Sequence, residues 1–145
     1  MKSLTIAIIC LSVFSGGCSK DCGDAFRYYE IGLSNGGSDW RDTTFIVATA
    51  NAQLISEISA QLKLPVNQRK NVIGSLVQGN GGYNKHGNHV FGWRLKEDDW
   101  LLTEVSIEIY DGRPYSDVDL NLSYWLNNVK RFSPWSSYIK REITR

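Results

Sequence analysis

The sequence predicts an α+β fold: a single, mainly antiparallel sheet in the order β-β-α-β-β-β-α-β, with two amphipathic helices packed on it. Three observations predict it. Between Trp100 and Pro114, Thr103, Val105, Ile107 and Ile109 alternate with Glu104, Ser106, Glu108 and Tyr110, the period of a strand with one face in a core. Two other stretches repeat their apolar residues at helical spacing, and each such stripe needs a sheet face to cover. Aromatic residues reach 12%, with five Trp and seven Tyr, side chains that suit a pleated surface.

The first segment reads as targeting rather than fold. Lys2 is a short basic region, Leu4–Phe14 is an apolar run too short to span a bilayer, and Ser15, Gly16 and Gly17 precede Cys18. Residues 1–17 are therefore expected to be a signal peptide. The Gly17-Cys18 junction resembles a bacterial lipobox, with Ser15 where Leu or Val is usual, and predicts lipidation of Cys18. Ser19 behind it resembles an outer-membrane sorting signal, so the expected location is exported: an outer-membrane lipoprotein, or a periplasmic or secreted protein. Residues 18–25 read as a tether, and residues 26–145 as one domain.

Phe26–Leu33 reads as the first strand and Thr43–Thr49 as the second, joined through Ser34-Asn35-Gly36-Gly37-Ser38. Asn51 is placed to cap a helix whose stripe is Leu54, Ile55, Ile58 and Leu62, and Pro65 stops it. Asn71–Gln78 is the third strand, and Gly79-Asn80-Gly81-Gly82 turns the chain. His89–Leu95 is the fourth, with His89, Phe91, Trp93 and Leu95 on one side. Lys96-Glu97-Asp98-Asp99 reads as a charged loop before the Trp100 strand. Ser116 is expected to cap a second helix at Asp119, with Val118, Leu122, Trp125, Leu126 and Val129 as its buried stripe. Ser137–Ile143 closes the order as the last strand.

Charge excludes one class of function. The formal net charge is +1, and removal of residues 1–17 leaves a neutral chain, so there is no electrostatic footprint for nucleic acid. Cys10 leaves with the signal. Cys18 and Cys22 lie at the tether: with Cys18 lipidated Cys22 is an odd thiol, otherwise the two could form a small local disulfide, and neither case staples the domain.

Few constellations carry chemistry. His86 and His89 have H-x-x-H spacing and, with Glu104 or Glu108, have the ligand types for zinc, but no H-E-x-x-H is present. A surface histidine and a packed one is the simpler account. Asp117, Asp119 and Asn121 begin like a calcium loop, yet Leu122 stands where that loop needs Gly and Asn128 where it needs Glu. Glu104 and Glu108 share a strand face, two steps of about 6.7 Å each apart, long for a retaining carboxylate pair. Gly79–Asn84 lacks the Lys-Ser/Thr of a phosphate loop. Lys130, Arg131, Lys140, Arg141 and Arg145 make the C-terminal segment basic, the ordinary chemistry of a solvated surface.

Tyr83-Asn84, His89-Val90-Phe91-Gly92-Trp93, Ser106–Pro114 and Pro134-Trp135-Ser136-Ser137 resemble a family of small secreted domains related to the N-terminal region of a slime-mould calmodulin-binding protein. The resemblance spans roughly residues 26–143. It implies no established enzymatic activity, and its calmodulin link belongs to one relative that an envelope protein would not share. Members carry a cysteine before the Asp of the strand end and another before Pro-Trp. Here those positions are Tyr110 and Ser133. If the two cysteines pair in relatives, the resemblance implies that Tyr110 lies beside Ser133.

The expected function is a non-enzymatic binding or interaction module of unknown ligand, exported and anchored through a lipid on Cys18. No cofactor is expected, and the partner is an unidentified protein or small molecule. The candidate surface is Tyr83, Asn84, His89, Trp93 and Trp135, since aromatic residues on loops are common anchors. The alternative is a hydrolase or metal-dependent enzyme using His89, Glu104 and Glu108.

Overall fold

A computed structural model of the chain describes residues 25–106 and 110–145. The expected signal peptide, the lipidation site Cys18 and nearly all of the expected tether lie outside the described residues, as do Ile107, Glu108 and Ile109.

The chain is mostly β. Its elements are β1 (Arg27–Leu33), β2 (Thr44–Thr49), α1 (Ala52–Gln61), β3 (Asn71–Gln78), β4 (Lys85–His86), β5 (His89–Val90), β6 (Trp93–Thr103), a helical segment over residues 114–129, β7 (Arg131–Phe132) and β8 (Ser137–Ile143). They do not make the single sheet that the sequence predicts. Among the described residues the strands form three sheets, ordered β2-β1-β8, β6-β3-β7 and β4-β5, and every pairing there is antiparallel.

The physical reason lies in the aromatic content. Tyr29, Ile31 and Leu33 of β1, Phe45 and Val47 of β2 and Ile139 of β8 are buried with Val72 and Leu76 of β3, Trp93, Leu95, Trp100 and Leu102 of β6 and Phe132 of β7, in one core. Phe45 sets its ring centroid 5.4 Å from Trp93 and 5.8 Å from Phe132, so rings of the first sheet fill the face of the second. Two half-apolar sheets that cover one another need less from the helices. Accordingly α1 buries only Leu54 and Ile58 of its stripe, with Asn51 capping it by accepting from Leu54 N–H at 3.1 Å.

The edges of the two sheets are tied by side chains. The Asn84 amide, fully buried, accepts from Ile46 N–H of β2 at 2.8 Å and donates to Trp93 C=O of β6 at 2.9 Å. Trp100 Nε1–H donates to Ala48 C=O at 2.8 Å, and Ser137 Oγ accepts from Val72 N–H at 2.9 Å. Polar backbone at a sheet edge is thereby satisfied without a continuous ladder. Asn84 reaches its place through a turn in which Gly79, Gly81 and Gly82 have φ of +82°, +62° and +77°, values that side-chain-bearing residues adopt at a cost.

β6 corrects two expectations. Lys96–Asp99 is not a loop between strands but a bulge inside one long strand. Leu95 pairs with Leu76 and Trp100 with Gly74, so Ser75 alone faces the four charged residues. Those charges are used: Glu97 accepts from Arg94 Nε at 2.7 Å, and Asp98 accepts from Ala50 N–H at 3.3 Å. The strand then ends at Thr103, with Trp100 and Leu102 inward and Leu101 half exposed. Val105, expected in the core, is 72% exposed. The bulge resets the register, and a one-residue slip exchanges the faces of a strand.

The 114–129 segment is helical but wide. Pro114–Asp119 and Trp125–Val129 form π-type turns around a short α turn at Leu122–Tyr124. Ser116 does not cap Asp119. Its hydroxyl donates to the buried Asp42, which also accepts from the N–H groups of Tyr115 at 2.8 Å and Ser116 at 2.9 Å. A carboxylate from the β1–β2 connection therefore caps this helical start from outside. Val118 and Trp125 are its buried residues after Pro114, and Leu122, Leu126 and Val129 pack partly against the core.

Candidate functional site

The fold distributes the residues singled out by sequence rather than gathering them. Tyr83, Asn84 and Trp93 are interior. Trp93 Nε1–H donates to Pro114 C=O at 3.1 Å, and Tyr83 donates to Glu97 at 3.1 Å with its ring edge-on to Tyr28. These three tie the structure together and offer no side-chain surface to a partner. Trp135, 46% exposed, does.

His86 and His89 pair across the β4–β5 hairpin, yet their rings serve different neighbours. His86 Nδ1 bonds the Thr44 hydroxyl, and its ring lies 5.3 Å from Trp40. Burial holds the His86 imidazole below its ordinary pKa. His89 Nε2 lies 3.0 Å from Asp119 Oδ2, with Phe91 and Tyr115 edge-on to the ring. Asp119 also accepts from Gly92 N–H at 2.7 Å, so this carboxylate and His89 lock the hairpin to the helical segment. Glu104 is on the surface, 3.7 Å from Lys70. Glu108 lies outside the described residues. His89 is thus paired with Asp119 and Glu104 with Lys70, and no group of three His, Cys, Asp or Glu side chains among the described residues could hold a metal ion.

The basic C-terminal strand is partly consumed. Glu30, buried in the sheet, takes Lys140 Nζ at 3.0 Å and Arg141 Nε on its two oxygens. Burial pushes the Glu30 carboxyl up, but these two donors and their charge outweigh it, and the net shift is downward.

One open cleft collects aromatic side chains. Tyr110, Asp117, Asn121, Tyr124 and Trp125 line a cavity of about 340 Å³. Tyr124 is 47% exposed and Tyr110 40%, while Trp125 forms the buried floor. Tyr110 stands at 84° to Tyr124 and 52° to Trp125, with centroids 6.2 and 5.4 Å away. The Tyr110 hydroxyl donates to the Tyr124 hydroxyl at 3.0 Å. Asp117 accepts from Arg113 N–H at 2.9 Å, and Asn121 donates to Asp117 C=O at 3.0 Å, so both polar residues are held by backbone.

The sequence carried a signal for this cleft that the stripe reading passed over. Residues 117, 121 and 124 recur at i, i+4 and i+7, one polar and aromatic face beside the apolar stripe. By sequence, Asp117 and Asn121 belong instead to the incomplete calcium-loop pattern. Tyr110 reads as the replacement for a cysteine. Its described ring partners are Tyr124 and Trp125, and the described partner of Ser133 is the Ser106 hydroxyl.

Comparison with known proteins adds a family. The model of the BP-74 N-terminal domain matches residues 33–145. No curated protein and no solved structure matches the chain.

Proposed function

We propose a function on one premise: the chain belongs to the BP-74 N-terminal domain family. The proposed role is a non-enzymatic interaction module that holds its ligand in the Tyr110–Tyr124–Trp125 cleft. A single observation carries this reading. Two partly exposed tyrosines and a buried tryptophan converge on one open cavity of about 340 Å³, with a carboxylate and an amide at its side. Aromatic side chains on a rigid floor supply contact area at little entropic cost. The histidines, the buried carboxylates Glu30 and Asp42 and the half-buried Asp119, by contrast, are engaged in ties between elements. Trp135 is another exposed aromatic, outside the lining of this cleft.

The proposal includes location. The Leu4–Phe14 run and the Gly17-Cys18 junction support export and attachment to a bacterial envelope membrane through a lipid on Cys18. A lipid there would present the domain to envelope components.

Photo-crosslinking in the native envelope tests the binding role. The photoreactive substitution Tyr124→p-benzoylphenylalanine is expected to capture an envelope component. The same substitution at Lys63, at the exposed end of α1, is expected to capture none. Equal capture at both positions, or none at Tyr124, contradicts the proposal. Fractionation tests the anchor: a Cys18→Ser variant should leave the membrane, and retention equal to the native chain would refute it.

A further inference from the structure

We propose that the cleft takes a substituted ammonium group, a compact cation carried on carbon; this rests on the cleft being the binding site. Volume does not decide the ligand class, because about 340 Å³ admits a small cation or a sugar ring. Ring geometry decides it. A sugar ring stacks on one flat aromatic platform, its C–H groups against the ring face. Here Tyr110 meets Tyr124 at 84° and Trp125 at 52°, so the three rings form a corner. The partly exposed members of that corner are Tyr110 and Tyr124, and a nearly spherical group can touch both rings at once while the buried Trp125 closes the floor beneath them. Each tyrosine face carries the negative side of its quadrupole and attracts a cation.

Charge points the same way. Among the described residues of the lining, Asp117 is the one carboxylate, and no Lys or Arg shares it. The carboxylate is held in place by the Arg113 N–H, and the Asn121 amide sits beside it. A bare metal ion would need several oxygen ligands, whereas an alkylated ammonium pairs its carbon surface with rings and its charge with one carboxylate. The bond between the Tyr110 and Tyr124 hydroxyls fixes the ring angle before a ligand arrives, which lowers the ordering cost of binding.

The test uses the full chain and tetramethylammonium chloride as the probe, with sodium chloride matching ionic strength. The readout is the indole N–H signals of the five tryptophans in a two-dimensional NMR spectrum. The Trp125 signal is expected to move saturably, at roughly millimolar probe, while those of Trp93 and Trp100 stay in place. Tyr124→Ala should weaken saturation about threefold to fivefold, the loss of one ring face. Asp117→Asn should weaken it with the dispersion of the spectrum unchanged, which shows that the fold persists. Movement of Trp125 with glucose or N-acetylglucosamine but not with tetramethylammonium overturns the ammonium assignment and leaves the cleft as a binding site. No movement with either overturns the ammonium site, while crosslinking at Tyr124 then judges the binding role separately.

Discussion

The Tyr110 and Tyr124 hydroxyls meet at 3.0 Å, joining the chain that follows β6 to the middle of the helical segment. This contact defines the mouth of the aromatic cleft. It sets one ring at 84° to the other above the Trp125 floor. The bond is exposed, so its worth to folding is small, and its consequence is the shape of the cleft. Other residues hold the two sheets together without shaping the cleft.

Asn84 is the first of the structural kind. Its amide bridges Ile46 and Trp93 on the side where neither strand has a ladder partner. Asn84→Ala leaves a buried N–H and a buried C=O unpaired and is expected to cost about 2–4 kcal/mol in urea unfolding. Asn84→Asp should also destabilise, because a carboxylate cannot donate to the Trp93 carbonyl. A loss below about 1 kcal/mol for the alanine variant would remove Asn84 from this role.

Stability should depend on acid in two separate windows. The Glu30 carboxyl has a folded-state pKa below the ordinary 4.5, because the Arg141 and Lys140 donors outweigh the opposing effect of burial. Its contribution is therefore present above 4.5 and is lost as pH falls through the lower folded value. The His86 imidazole is lowered from 6.5 by burial. The unfolded chain takes that proton first, so stability begins to fall below pH 6.5 and levels once the folded pKa is passed. Unfolding curves across pH should show both declines, with Glu30→Gln flattening the acid one and His86→Gln the one nearer neutrality. Unchanged slopes in these variants would contradict the assignments.

Lys130 ends the helical segment with φ of +66°, the left-handed region, while its carbonyl accepts from Leu76 N–H at 2.8 Å. Lys130→Gly relieves a backbone cost of about 1–2 kcal/mol and adds unfolded-state freedom worth about 0.5–1 kcal/mol. The expected result is a gain of about 0.5–1 kcal/mol, and Lys130→Val should lose stability instead. A destabilised glycine variant would show that the lysine side chain contributes more than its backbone geometry costs.

Ser133 offers a covalent check. Its hydroxyl meets that of Ser106, which brings their β-carbons close to disulfide spacing. Ser106→Cys with Ser133→Cys should oxidise to a bridge seen by peptide mapping. If the two cysteines pair in relatives, the family resemblance expects Tyr110→Cys with Ser133→Cys to bridge as well. Preferential closure of the second pair would show that Tyr110 approaches Ser133 more closely than Ser106 does.

Much of the local structure was legible. Asn71–Gln78 and Ser137–Ile143 have the bounds that their alternation predicts, β1 and β2 begin one residue later than expected, and Asn51 caps α1 as its residue type suggests. The layering was not legible, because alternation says that a strand has an apolar face and not what covers it. Phe45 and Val47 are equally consistent with a helix or a second sheet above them. The Lys96–Asp99 bulge hid for a related reason: four consecutive charges read as loop, and their partners Arg94 and Ala50 are fixed only by the folded edge. The cleft was half visible, as the 117, 121 and 124 spacing, but Tyr110 joins it from outside the helix.

Hydrogen exchange of the full chain, read by mass spectrometry with and without its solubilised native envelope, tests the cleft most directly. The binding role predicts slower exchange in peptides covering residues 117–125, and none in those covering 63–70. Protection confined to other segments, or unchanged exchange around Tyr124, would contradict it.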